Sequence, residues 1–98
     1  MKYIVSEDLI KRITNSYLDK IPMQTWDNEI YYDDRVETGG LFLVEDGVLY
    51  ISEFLIDEVC VLLNIKDRGF IMMIIAEWFV NKANSQIFSV EERSEEHT

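Results

Sequence analysis

The chain has 98 residues, a formal net charge of -10 and 48% hydrophobic residues. This length suits one domain with one core, and the apolar content excludes an intrinsically disordered chain. The negative field repels phosphate backbones and anionic lipid heads, so direct nucleic-acid binding, polyanionic ligands and membrane association are not expected.

Cysteine usage and the N-terminus predict a cytoplasmic protein. Cys60 is the single cysteine, so no internal disulfide forms, and the first residues lack an apolar run of signal-peptide length. The longest apolar stretch, 70–80, contains Glu77. It covers about half of the roughly 20 residues that a membrane helix needs, so we expect no membrane span.

The first predicted element is a helix over about 7–20. Ser6 suits its N-cap, and Glu7 and Asp8 suit the positive end of the helix dipole. Apolar side chains recur at helical spacing, at Leu9, Ile10, Ile13, Tyr17, Leu18 and Ile21. Pro22 disfavours helical angles at the residue before it, which ends the helix.

Between 23 and 40 the apolar pattern is weaker. The sequence predicts a loop with one or two short strands, one centred on Tyr31 and a second near Val36. Acidic residues separate the apolar ones in this segment: Asp27, Glu29, Asp33, Asp34 and Glu37.

The clearest local signal is a β-hairpin over 41–52. Its arms, 41–45 and 48–52, flank Asp46 and Gly47, a pair that tolerates the positive φ angles of a type I′ turn. This turn predicts three cross-strand pairs, Val44 with Leu49, Leu43 with Tyr50, and Phe42 with Ile51. Both faces of the hairpin are then apolar, so we expect helices over one face and another cover over the other.

Two helices are predicted after the hairpin. Ser52 suits the N-cap of the first, which ends near Asn64, and Asp67 suits that of the second, which ends near Asn84. The second helix is apolar around nearly its whole circumference, which is typical of a helix buried on most sides. The predicted fold class is therefore α+β: an N-terminal helix, a short antiparallel β-meander that includes the 41–52 hairpin, and two packed C-terminal helices.

The domain prediction is a single α+β domain over 1–90, followed by a disordered tail over 91–98. Residues 87–90 are compatible with a short strand, whereas residue 91 onward is charged and has nothing to bury. Residues 93–98 resemble the translation of a common sequencing-adapter oligonucleotide. This resemblance implies an assembly artefact, so these residues are given no functional role.

Side chains that run acid-base, nucleophilic or zinc chemistry are scarce. His97, in the tail, is the single histidine, so histidine-based catalysis lacks its base and zinc lacks its usual ligands. Cys60 lies on the apolar face of a predicted helix without an adjacent base, which favours a packing cysteine over a reactive one. We therefore predict no catalytic residue, no cofactor and no metal.

Three further motifs favour structural interpretations. The acidic run over 27–37 lacks the spacing of a calcium loop, which favours a solvated face over a cation site. The 38–40 segment, Thr-Gly-Gly, lacks the lysine of a phosphate loop and precedes an apolar strand, which favours a turn or bulge. Residues 58–79 have the proportions of a helix-turn-helix. The second helix offers Arg68 and Lys82 at its ends and apolar residues between, which favours a packed helical hairpin.

Aromatic residues within the acidic segment are candidates for partner contact. Trp26, Tyr31 and Tyr32 suit an interface and a small core equally well. The predicted partner-binding set combines these three with their acidic neighbours: Trp26, Asp27, Glu29, Tyr31, Tyr32, Asp33 and Asp34.

The segments 2–13 (KYIVSEDLIKRI), 53–59 (EFLIDEV) and 76–79 (AEWF) resemble small uncharacterised accessory proteins of tailed bacteriophages. The resemblance covers part of the chain, contains no diagnostic motif and transfers no functional residue. It implies an accessory viral role, such as modulation of a host protein.

The leading functional hypothesis is a non-enzymatic accessory protein that binds a protein partner or itself. Its basis is an apolar surplus that one small domain does not readily cover. The acidic stretch over 27–58 suits a basic surface, such as that of a host nucleic-acid-binding protein. Two alternatives remain open, a helix-turn-helix-like transcriptional regulator and an enzyme that uses carboxylates and a metal.

Overall fold

The computed structural model describes residues 6–26, 30–33, 40–83 and 86–93, and these residues form three helices and five strands. The elements in chain order are α1 (Glu7–Asp19), β1 (Met23–Trp26), β2 (Ile30–Asp33), β3 (Phe42–Glu45), β4 (Val48–Ser52), α2 (Glu53–Leu63), α3 (Arg68–Ala83) and β5 (Ser89–Arg93). The fold class is α+β, as the sequence predicts.

Helix α1 begins and ends close to its predicted limits. The Ser6 side chain accepts a hydrogen bond from the backbone N–H of Leu9 at 3.2 Å, which satisfies one of the free donors of the first turn. One face of the helix is buried at Ile10, Thr14 and Leu18. These residues are four apart, the spacing of a single helical stripe that packs on a core.

The sheet is mixed, with the described strands in the order β1-β2-β3-β4-β5. The first four strands form an antiparallel meander, whereas β5 pairs parallel to β4. The purely antiparallel sheet predicted from sequence is therefore wrong at β5. The physical reason is the long connection through α2 and α3, which returns the chain to the same end of the sheet before β5 begins.

The hairpin of β3 and β4 is confirmed with its predicted register. Asp46 and Gly47 have φ angles of 53° and 79°, as a type I′ turn requires. The observed pairs include Phe42 with Ile51, Leu43 with Tyr50 and Val44 with Leu49. Alternate residues point to opposite faces of the sheet.

The weak segment before the hairpin holds two strands. The strand predicted around Tyr31 is confirmed as β2, which pairs antiparallel with β1 over Met23–Trp26. The second strand, predicted near Val36, lies outside the described residues. The backbone N–H of Leu41 donates to the carbonyl oxygen of Tyr31 at 2.6 Å, which joins β2 to the start of the hairpin.

Helices α2 and α3 begin at the caps that the sequence predicts. Ser52 accepts from the N–H of Phe54 at 3.2 Å, and Asp67 accepts from the N–H of Phe70 at 3.1 Å. Asn64 ends α2 in the left-handed conformation, with a φ of 55°. Helix α3 is buried on most sides, as predicted, at Ile71, Ile74, Ile75, Ala76, Trp78 and Phe79.

The core lies between α3 and one face of the sheet. The ring of Phe79 lies 4.8 Å from that of Phe42 and 4.9 Å from that of Tyr31, the second pair edge to face at 87°. Trp78 stacks on Phe42 at 6.1 Å. Aromatic pairs at such distances add about 0.5–1.5 kcal/mol each beyond their buried area, so this cluster fixes α3 on the sheet.

Strand β5 extends past residue 90, the predicted end of the domain. Strand β5 includes Glu91, Glu92 and Arg93, which the sequence assigned to a disordered tail, because their backbones pair with Tyr50, Ile51 and Ser52 of β4. Backbone hydrogen bonds hold an edge strand whatever its side chains. The side chain of Glu91 is exposed, and that of Glu92 binds Arg68 of α3. Residues 94–98 lie outside the described residues.

The buried hydroxyl of Thr14 gives a first prediction. Thr14 is 0% exposed, and its Oγ1 has no hydrogen-bond partner within the described structure. Replacing the hydroxyl by a methyl in Thr14→Val should raise the free energy of unfolding by about 1 kcal/mol. Chemical denaturation measures the change. Thr14→Ser is the control. It keeps the hydroxyl and loses the methyl, and should therefore lower stability. A Thr14→Val variant that is less stable than the original chain would contradict a hydroxyl without a partner.

A second prediction compares two glycines. Gly47 has a φ of +79°, and a Cβ there would overlap the ring of Phe88, whereas a Cβ on Gly69 meets only Asp67 Oδ1 at 3.6 Å. Gly47→Ala should therefore cost about 1–2 kcal/mol, and Gly69→Ala on the helix should contribute about 0.5–1 kcal/mol. Thermal unfolding of both variants checks the opposite signs, and equal effects would be inconsistent with the type I′ turn.

Candidate functional site

The structure describes part of the predicted partner-binding set. Asp27, Glu29 and Asp34 lie outside the described residues. The backbones of Trp26, Tyr32 and Asp33 belong to β1 and β2, and their side chains are not described. The remaining member, Tyr31, is half-buried against Phe79. Partner contact by this set stays a prediction.

The exposed part of Tyr31 lines an apolar cavity of about 280 Å³. The cavity lies between the C-terminal ends of α1 and α3 and the inner face of β1 and β2. Its walls include six apolar or aromatic side chains: Leu18, Ile21, Met23, Tyr31, Trp78 and Phe79. Thr25, exposed on β1, lies at its edge. The cavity therefore offers an apolar, aromatic surface that is open to small groups.

A second cavity of about 250 Å³ lies between α1 and α3 and is polar. Lys11 and Asn15 of α1 face Glu77 and Asn81 of α3 across it, and Lys11 Nζ lies 3.7 Å from Glu77 Oε2. The two cavities share three of their lining residues, Asp19, Trp78 and Lys82. We call the two cavities together the α1–α3 groove.

Asp19 is the fixed charge at the junction of the α1–α3 groove. Its Oδ1 accepts a hydrogen bond from Trp78 Nε1 at 2.9 Å and lies 3.4 Å from Lys82 Nζ. The bond from Trp78 has the largest effect on the pKa of the Asp19 carboxyl and lowers it. Burial opposes this effect, and Lys82 lowers the pKa further, so that the pKa is below its ordinary value. The carboxylate therefore stays ionised through the physiological pH range, and the indole N–H holds it in position.

A different surface lies on the outer face of the sheet. Phe42, Leu49 and Ile51 are each 0% exposed on the inner face, so their neighbours along the strands face outward. Three of those neighbours are apolar and partly exposed: Leu43, Val48 and Tyr50. Exposed carboxylates flank them, since Glu45 pairs with Val48 and Glu91 pairs with Tyr50. We call these five residues the outer sheet face.

The helix-turn-helix proportions of 58–79 correspond to a packed pair of helices. The exposed residues of α3 are Gly69, Met73, Glu77, Asn81 and Lys82. Lys82 is the one base among them, and its Nζ lies 3.4 Å from Asp19 Oδ1. Arg68 at the start of α3 binds the carboxylates of Asp57 on α2 and Glu92 on β5, and these contacts raise the pKa of the Arg68 guanidinium. The two basic side chains of α3 thus lie at opposite ends of the helix and are paired with carboxylates, whereas DNA recognition needs basic and polar side chains along the exposed face of the helix.

Cys60 is half-buried on α2. Burial raises the pKa of its thiol, and the nearby Arg68 acts in the opposite direction with a smaller effect. A raised pKa keeps the sulfur protonated at neutral pH, which disfavours nucleophilic chemistry.

Among the described residues, no cluster of three or more His, Cys, Asp or Glu side chains is arranged to hold a metal ion. None of the described helices combines the length and the apolar content that a membrane crossing requires.

Comparison of the chain with protein-family models, with curated proteins and with solved structures finds no significant match.

The hydrogen bond at Asp19 gives a third prediction. NMR titration should place the pKa of this carboxyl below its ordinary value of 3.8, and Trp78→Phe should move it back up because the indole donor is lost. A lowered folded pKa stabilises the fold above the unfolded pKa, and that contribution disappears as the pH falls through the folded pKa. Lys82→Gln should raise the pKa of Asp19 by less than Trp78→Phe does, because each effect of Lys82 is weaker than the hydrogen bond from Trp78. A larger rise in the Lys82 variant would contradict the main role given to Trp78.

Proposed function

We propose that this chain is a non-enzymatic protein-binding module that docks through the outer sheet face onto a partner with an apolar centre and basic side chains around it. The partner is a foreign protein and not a second copy of this chain. Its main support is the contrast between the two sides of the same hairpin.

The hairpin of β3 and β4 is apolar on both sides, but helices cover only its inner side within the described residues. Antiparallel sheets with one solvated face usually alternate apolar inward and polar outward side chains. Here Leu43, Val48 and Tyr50 occupy outward positions, where folding alone does not require them. Partly exposed aliphatic and aromatic side chains that lie together are typical of contact surfaces.

The charges around the outer sheet face select the partner. Glu45 and Glu91 flank its apolar centre, and the whole chain carries -10. Two copies would bring like charges together, whereas a basic partner is attracted and steered to the site. The resemblance to bacteriophage accessory proteins makes a host nucleic-acid-binding protein a suitable partner class.

The fourth prediction tests the outer sheet face. The tagged chain should capture a basic protein from extracts of the cells in which it is naturally made, and Leu43→Glu or Tyr50→Glu should reduce capture by at least about tenfold, since a charge in the centre of an interface is strongly unfavourable. Quantitative mass spectrometry of the eluates measures the loss. Val61→Glu is the matched control, because Val61 is 80% exposed on α2.

Three results are decisive for this proposal. Loss of capture in the Val61 variant with retention in both hairpin variants would place the interface elsewhere. Light scattering that shows a stable dimer disrupted by the hairpin variants would identify the partner as a second copy. Captured proteins that bind equally well at low and high salt would contradict an attraction between the carboxylates of the outer sheet face and a basic partner.

A further inference from the structure

We infer that the α1–α3 groove is a binding site for a small zwitterion with an apolar body, which in chemical terms is a free apolar α-amino acid. This inference is separate from protein binding, because the groove lies on the inner side of the sheet and the outer sheet face on the other. It depends on the shape of the two cavities and on the charges at their junction.

The apolar cavity sets the size and polarity of the ligand body. At about 280 Å³ it is slightly smaller than the roughly 300–1,000 Å³ of cavities that hold drug-sized ligands. A branched aliphatic or single-ring group suits this volume. The rings of Tyr31 and Trp78 in its walls offer dispersion contacts to such a group.

The charged pair at the junction sets the chemistry of the ligand head. Asp19 and Lys82 present a carboxylate and an ammonium 3.4 Å apart, and both line the two cavities. An α-amino acid carries an ammonium and a carboxylate on one carbon, so its ammonium can bind Asp19 while its carboxylate binds Lys82. Asn15 and Asn81 in the polar cavity supply additional donors and acceptors to the same head.

The ion pair between Asp19 and Lys82 can be replaced by contacts with a ligand at little cost. Trp78 Nε1 holds Asp19 in place, so the acceptor is positioned before the ligand arrives. Lys82 has a side chain that is 60% exposed, and an exposed ion pair contributes little to stability. Replacing this one pair by two ion pairs with the ligand therefore costs the protein little.

The net charge distinguishes a zwitterion from other small molecules. The net charge of -10 repels a ligand that carries only a carboxylate. A ligand that carries only an amine would bind Asp19 and leave Lys82 without a partner. A zwitterion has no net charge and pairs both side chains. A residue within a partner chain fits less well, because its α-nitrogen and carbonyl carbon form uncharged amides.

The experiment is an NMR titration of the ¹⁵N-labelled full chain with L-leucine and with L-phenylalanine. We expect shifts in the amides around Asp19 and Lys82 and in the indole N–H of Trp78, which gives its own signal. Two probes each lack one charge of leucine: 4-methylpentanoate has no ammonium and 3-methylbutylamine has no carboxylate. Each should bind about tenfold more weakly, because one charge-assisted hydrogen bond is lost.

Two variants test the contacts of the charged head and of the apolar body of the ligand separately. Lys82→Gln should weaken leucine binding about tenfold by removing the carboxylate partner, whereas Lys66→Gln, an exposed lysine in the α2–α3 connection, should leave it unchanged. Thr25→Phe places a ring into the apolar cavity from the exposed edge strand and should abolish the shifts. Far-ultraviolet circular dichroism confirms that each variant is folded.

Three outcomes would overturn the inference. The first is an absence of shifts with both amino acids up to their solubility. The second is binding of 4-methylpentanoate as tight as that of leucine, which would remove the role of Asp19. The third is equally tight binding of N-acetyl-leucine amide, which would identify the groove as a contact for a partner's side chain. None of these outcomes affects the outer sheet face, whose test uses other residues.

Discussion

The packing of α3 between the sheet and α1 is the constraint on which the other features depend. On one side Phe79 contacts the rings of Tyr31 and Phe42, and on the other Trp78 donates its indole N–H to Asp19 of α1. A helix that is apolar on most sides has to be covered from several directions. In a chain of 98 residues that cover uses the inner face of the sheet and the neighbouring helices, so within the described residues the outer sheet face stays partly exposed.

The elements set by local chemistry were predictable from the sequence. Ser6, Ser52 and Asp67 each cap a helix as their side-chain oxygens predict, and Asp46 with Gly47 determines the turn and hence the register of β3 with β4. These features depend on residues within about five positions of each other along the chain, where steric limits and short hydrogen bonds decide the outcome.

The features set by distant contacts were not predictable in the same way. Strand β5 is short and charged, so its sequence resembles a tail, and its pairing with β4 depends on where α3 returns the chain. The α1–α3 groove depends on a hydrogen bond between Asp19 and Trp78, 59 positions apart. A tryptophan in an apolar helix does indicate that its N–H needs an acceptor, but several carboxylates in the sequence could serve, and only the packing of α1 on α3 selects Asp19.

The two surfaces differ in how their charge is arranged, and this difference determines what each can bind. In the groove the carboxylates of Asp19 and Glu77 lie within 4 Å of Lys82 and Lys11 respectively. The local charge of the groove is therefore close to balanced, which suits a neutral ligand. On the outer sheet face the exposed carboxylates of Glu45 and Glu91 border apolar side chains, an arrangement that suits a basic surface. Because Tyr31 and Leu43 lie on adjacent strands but face opposite sides of one sheet, a single layer of backbone separates the two sites. Their occupants need not compete, and an acidic chain of this size can therefore carry both.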